Sequence, residues 1–200
     1  RTPNGTRVLI DGGANPSVVV SAIGRAMPFW ERQIDMVVLT DTSDDHLAGL
    51  VDVLERYDVR QIIQVSAAKQ TQTYQRWSAL IAQKNAASLP AQAGTHIDLD
   101  QGVSFEIIYS SAGTSFAVVR LRVGDTSVLF ADTAEEDAQS ALASDDVAST
   151  VLIAPRKLSP AFFDAVNPQF AVLFVGSGTR DKPSADLLAT LADTTLLRTD

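Results

Sequence analysis

The sequence contains no cysteine. Disulfides, thiol nucleophiles and zinc–thiolate sites are excluded with it. Histidine is nearly as scarce, at 2 residues in 200, His46 and His96. Zinc favours nitrogen and sulfur donors, so so few imidazoles argue against an ordinary two-zinc site. No apolar run reaches the roughly 18 residues that a membrane-spanning helix needs. Basic charge is not in excess either: 16 Lys and Arg against 24 Asp and Glu give a formal net charge of −8. That argues against a broadly basic, nucleic-acid-binding surface and leaves room only for a local basic patch.

What the chain does have is apolar content, 46% over 200 residues, enough to bury a substantial core. It opens on Arg1-Thr2-Pro3-Asn4-Gly5. Asn-Gly is a hairpin-turn signal, so a strand is expected before it, and the chain reads as a fragment of a longer protein. Thr6 to Ile10 reads as a strand ending in Asp11-Gly12-Gly13. Pro16 opens a helical pattern closed near Pro28. Ile34 to Leu39 is a buried strand by its continuous apolar content, and Leu47, Leu50, Val51, Leu54 and Tyr57 recur at helical spacing. Arg60 to Val65 is a further strand, Gln70 to Asn85 a weaker helix, and 86–95 a connector.

From Ile97 the texture becomes β-rich. Val103 to Tyr109, Ser115 to Val123 and Ser127 to Phe130 suggest an antiparallel meander with a turn at Gly124-Asp125. Then strand and helix alternate again: helix 134–142, strand 150–153, helix 160–166, strand 170–175, helix 184–192 and strand 195–198. Two α/β halves around a β meander suggest two sheets with helices outside, in one domain spanning 1–200. A single doubly wound sheet is the alternative.

Four candidate sites fall at strand ends, where α/β proteins commonly place their chemistry. They are Asp11, the loop from Asp41 to His46, Asp132, and the loop after Ile153 that carries Arg156 and Lys157. Converging carboxylates repel unless a cation offsets them. That cation is either a metal or a basic side chain such as Arg156 or Lys157. Each site also has a plainer reading. Ser43 or Asp44 is expected to cap the following helix, and acids favour a helix N-terminus. His46 reads equally as a helix-start residue packed under the loop. Asp11-Gly12-Gly13 reads as a tight turn needing positive φ, with Asp11 organising the neighbouring loop. Asp132 and Thr133 compete to cap the next helix, and Arg156-Lys157 reads also as a solvated loop.

Leu9-Ile10-Asp11-Gly12-Gly13, then Val37-Val38-Leu39-Thr40-Asp41-Thr42-Ser43-Asp44-Asp45-His46-Leu47-Ala48-Gly49, then Leu129-Phe130-Ala131-Asp132 follow one another in an order that resembles the metallo-β-lactamase fold superfamily. Within it, the chain is most similar to the C-terminal domain of ComEC-type DNA-uptake membrane proteins. Arg1 to Thr6, Leu50-Val51-Asp52-Val53-Leu54 and Val166-Asn167-Pro168-Gln169-Phe170-Ala171-Val172 add to the resemblance, which covers about residues 1–192. It implies an αββα four-layer sandwich, here without its first strand, and a two-metal hydrolytic site at one sheet edge. By position, the His-x-(His or Asp)-x-Asp-His signature falls on Asp41, Ser43, Asp45 and His46. The bridging Asp falls on Asp132 and the structural Asp on Asp11. Later histidines of the family fall on Arg156-Lys157 and on Asp181-Lys182-Pro183.

Most of the implied ligands are therefore substituted. The expectation is a degenerate site, Asp41, Asp45, His46 and Asp132, without a dinuclear metal centre and without hydrolysis, in which Arg156 and Lys157 supply the charge a metal would have supplied. Asp11, Gly12 and Ser43 are expected to be structural. The alternative is a metal-dependent phosphodiesterase or nuclease holding one Mn²⁺ or Mg²⁺ on the same oxygen-rich set, with Arg156 or Lys157 binding phosphate. The resemblance also implies the partners, the remainder of a membrane channel protein and DNA. It implies a location as well: a soluble domain attached to the extracytoplasmic side of a bacterial membrane. Nothing in the sequence points to an organic cofactor.

Overall fold

Six helices and eleven strands in two sheets organise the residues that the computed structural model describes, which are 1–66, 70–111, 113–175 and 182–199. The chain divides into two compact units, Arg1–Gln92 with Ser110–Ala117, and Ala93–Tyr109 with Val118–Asp200. Among the described residues no helix is long and apolar enough to cross a membrane.

The first unit holds a four-stranded sheet. Its strands are β1 (Val8–Ile10), β2 (Gln33–Leu39), β3 (Asp58–Gln64) and β4 (Ala87–Pro90), in that spatial order and all parallel. Parallel neighbours need crossovers, and three helices supply them: α1 (Pro16–Ala26), α2 (Asp44–Arg56) and α3 (Gln72–Lys84). Local chemistry fixes their ends. Asn15 caps α1 by accepting the Ser17 N–H, with Pro16 at the first helical position. Thr71 caps α3 through the Tyr74 N–H, and Asn85 ends it in the left-handed region at φ 50°. On α2, Leu47, Leu50, Val53 and Leu54 are buried at helical spacing. Each such side chain contributes about 1.5–3 kcal/mol by leaving water.

Two expectations need correction here. The acidic stretch is only half loop: Asp44, Asp45 and His46 form the first turn of α2. The apolar period starts at Leu47 and so conceals a polar opening turn. The connector over 86–95 also contains β4, registered against β3 from Gln61↔Ala87 to Gln64↔Pro90. All four of its residues are exposed, so no alternation marked it as a strand.

The second unit is built on a seven-stranded sheet in the order β11-β10-β9-β8-β7-β6-β5. The strands are β5 (His96–Asp100), β6 (Val103–Ser110), β7 (Ala117–Val123), β8 (Thr126–Phe130), β9 (Val151–Ile153), β10 (Phe170–Leu173) and β11 (Thr195–Arg198). The expected meander is present, with β5–β6 and β7–β8 antiparallel. Gly124, at φ 57°, makes the β7–β8 turn. From β8 to β11 every pairing is parallel. Helices α4 (Glu136–Leu142), α5 (Pro160–Val166) and α6 (Ala185–Thr190) bring Leu142, Phe162, Val166 and Leu187 onto Leu129, Leu152, Ala171 and Leu173. Across the sheet, buried Arg120 donates to Glu106 Oε2 through Nη2 (2.7 Å) and to the Asp146 carbonyl through Nη1 (2.8 Å).

Candidate functional site

In the first unit the strand-end residues are organised around Asp11. Its backbone takes φ 56°, a left-handed conformation that Asp tolerates better than most residues. Its amide donates to the Val38 carbonyl (2.9 Å). Its carboxylate accepts from the Thr40 N–H (2.8 Å) and the Thr40 hydroxyl (2.5 Å). His46 Nδ1 lies 3.1 Å from Asp11 Oδ2. A carboxylate can only accept, which puts the ring hydrogen on Nδ1. The His46 carbonyl in turn accepts the Gly12 N–H at 2.7 Å. One carboxylate thus ties the end of β1 to the end of β2 and to the first turn of α2.

Gly12 serves a different purpose from the one its tight turn suggested. Asp11 and Gly13 carry the positive φ values, and Gly12 does not. What Gly12 provides is proximity: a Cβ there would lie 2.2 Å from the Leu50 nitrogen. Gly49 reciprocates, since a Cβ on it would lie 2.0 Å from the Gly12 carbonyl oxygen.

The rest of the loop is held by backbone contacts. Asp41 Oδ1 accepts the Ser43 N–H (2.6 Å). Ser43 occupies the N-cap of α2 as expected, although its side chain makes no capping bond, and Asp44 is the first helical residue. The Ser43 carbonyl instead receives the N–H groups of His46 and Leu47. Residues 115–117 clamp the other side: Thr42 N–H donates to the Ser115 carbonyl, Asp41 pairs with Phe116 in an isolated bridge, and Ala117 N–H donates to the Thr40 carbonyl. Asp45 is exposed on the first turn of α2.

In the second unit, Asp132 lies in a turn closed by the Ala134 N–H on the Ala131 carbonyl (2.9 Å). The N-cap of α4 is Glu135, so neither Asp132 nor Thr133 takes that role. Arg156 and Lys157 are exposed in the loop after β9. The two loops share one buried side chain, Gln139. Its Nε2 donates to the Ala134 carbonyl (2.8 Å) and the Lys157 carbonyl (2.7 Å), and its Oε1 accepts the Ser159 N–H (2.8 Å). Sequence reasoning missed Gln139. The one available signal was its phase, three residues before buried Leu142 on the apolar side of α4. A cavity of about 720 Å³ opens beside these loops, lined in part by Gln139, Arg156, Lys157, Phe174 and Lys182. Asp181, the neighbour of Lys182 in the implied motif, lies outside the described residues.

A two-metal centre needs several converging donors. Asp41 is engaged with the Ser43 N–H and His46 with Asp11. Among the described residues no group of three or more His, Asp or Glu side chains is placed to hold a metal ion. The described residues therefore do not gather the several donors that the two-metal centre implied by the resemblance would need.

No family model matches the sequence, and no curated protein matches it. Solved structures do match. The chain is similar to the metallo-β-lactamase fold protein YhfI from Bacillus subtilis, with a TM-score of 0.69 at 12% identity, covering 100% of this chain and 87% of that one. It is similar to Zn²⁺-bound PqqB from Methylobacterium extorquens, with a TM-score of 0.53 at 16% identity over 98% of this chain and 70% of that one. A diphosphatase of the PhnP family gives a TM-score of 0.56 at 16% identity over 98% and 79% of the two chains. At such identities the likeness speaks for the fold, and chemistry has to be argued from the residues. The chain has the mixed α/β fold of the metallo-β-lactamases.

Proposed function

We propose that this chain is a metallo-β-lactamase-fold domain that binds without hydrolysing, and that it forms the soluble part of a ComEC-like DNA-uptake protein held at the outer side of a bacterial membrane. The observation that carries the reading is the commitment of the motif's side chains to the fold. His46 contacts Asp11, Asp11 takes both Thr40 donors, and Asp41 takes the Ser43 N–H. These residues hold two strand ends and a helix start together, a role that persists without an activated water. The resemblance carried by Arg1 to Thr6, Leu50 to Leu54 and Val166 to Val172 is what supports the DNA-uptake assignment.

Metal analysis of the purified chain, with a nuclease assay on linear DNA in Mn²⁺, tests this. The expected result is substoichiometric metal and no cleavage above that of Asp45→Ala protein. Stoichiometric metal with Asp45-dependent cleavage would overturn it and favour the second reading, a single-ion phosphodiesterase or nuclease. One observation speaks for that rival. An imidazole whose Nδ1 meets a carboxylate is also how metal-ligating histidines are oriented.

A further inference from the structure

The cavity of the second unit is lined by side chains of two kinds, charged and apolar. Its lining includes Arg156, Lys157 and Lys182 together with Glu136 and Asp186, three cations to two carboxylates in a chain whose formal net charge is −8. Lys157 and Lys182 are exposed, and no ion pair within the described residues engages either. The lining also has an apolar part, including Phe174, 53% exposed just after β10. One cavity thus carries both a solvent-open aromatic ring, which offers a stacking face, and ammonium groups whose charge suits phosphate. The volume, about 720 Å³, falls within the roughly 300–1,000 Å³ of small-ligand sites. A long polyanion would need an extended basic track, and a formal net charge of −8 argues against one.

We propose that this cavity binds a phosphate-bearing ligand with a flat aromatic group: a nucleoside phosphate, free or at the end of a strand. Lys157, Lys182 and Arg156 take the phosphate, and Phe174 takes the base. The proposal deepens the binding role inferred above and rests on that reading for the ligand being held intact. Binding itself requires no metal.

The test uses the chain in EDTA, titrated with deoxyadenosine monophosphate, inorganic phosphate and deoxyadenosine, and followed by calorimetry and amide NMR shifts. The nucleotide is expected to bind about tenfold more tightly than either fragment, because each handle adds to the other. Its shifts should map to residues 156–159, 174 and 182–187. Lys157→Ala with Lys182→Ala should weaken it by about tenfold or more and flatten its salt dependence. Phe174→Ser should weaken the nucleotide and leave inorganic phosphate unchanged. These side chains are exposed, and a thermal melt checks that each variant is folded. A 5′-phosphorylated hexathymidylate identifies the source: tighter binding than the mononucleotide assigns a strand end, weaker binding a free nucleotide, and both orders support the site. No binding at millimolar nucleotide, binding that survives the lysine substitutions, or shifts mapping elsewhere would overturn the proposal. Metal-dependent cleavage would overturn the functional reading and leave lysine-dependent binding in EDTA intact, so the two failures are distinguishable.

Discussion

Gly12 and Gly49 meet backbone to backbone, each occupying the space a Cβ on the other would need. A methyl at either position runs into main-chain atoms, which cannot rotate away. Gly12→Ala and Gly49→Ala are each expected to cost about 3 kcal/mol or more, at or above the upper end for overpacking a well-filled site. Gly13→Ala provides the contrast. Nothing lies within 4 Å of a Cβ there, and only its φ of +70° resists. Its cost should be about 1–2 kcal/mol. Urea denaturation of the three variants gives the order, and equal losses would contradict this account.

Asp11 should be the most sensitive polar residue of the first unit. Asp11→Ala removes the acceptor for both Thr40 donors and places Ala in a left-handed conformation. A loss of about 3 kcal/mol is expected from an unsatisfied buried donor together with backbone strain. Asp11→Asn should cost less, since Asn tolerates that backbone and keeps one acceptor oxygen. A double-mutant cycle on Asp11 and His46 should return a coupling of about 1 kcal/mol. Zero coupling would mean the 3.1 Å contact contributes nothing to holding the α2 start.

Gln139 is expected to act on two loops at once. Gln139→Leu preserves bulk and strands the Ala134 and Lys157 carbonyls and the Ser159 N–H. A destabilisation of about 2–3 kcal/mol should follow. Hydrogen exchange should accelerate at Ser159 and around 131–134 together. Faster exchange in only one of the two loops would show that the bridge is not shared.

Buried Arg120 depends on Glu106. Glu106→Ala leaves a guanidinium that is only 3% exposed with the Asp146 carbonyl and a looser approach to the Asp146 carboxylate at 3.9 Å. A loss of about 3 kcal/mol is expected, typical of breaking a buried pair from one side. The double variant Arg120→Met with Glu106→Leu should recover most of it, because no charge is then buried. Thermal melts of the single and double variants check the ordering.

The elements that were legible in the sequence are those whose burial leaves a period. Ile34 to Leu39 reads as a buried strand because its apolar run is nearly continuous, and α5 opens on Pro160, which suits a first helical position. β4 left no trace because exposure on all four residues removes the constraint that writes a pattern. The start of α2 was obscured by Asp44 and Asp45, which suit a helix's first turn and a loop equally well. At the candidate site, Asp11 as organiser was readable from its place after a strand. The parts played by Gln139 and Gly49 were not, because both depend on which loop or helix lies opposite.

The edge strand β4 has one more consequence. Ala91 donates its N–H to Gln64 on β3, and successive amides of a strand alternate sides. Pro90, the residue before, therefore falls where an amide would point outward, and it has no hydrogen to offer. A visiting strand would meet a four-residue rim with a donor missing at its end. This margin of the sheet resists being lengthened, which guards a concentrated solution of the protein against edge-to-edge self-association.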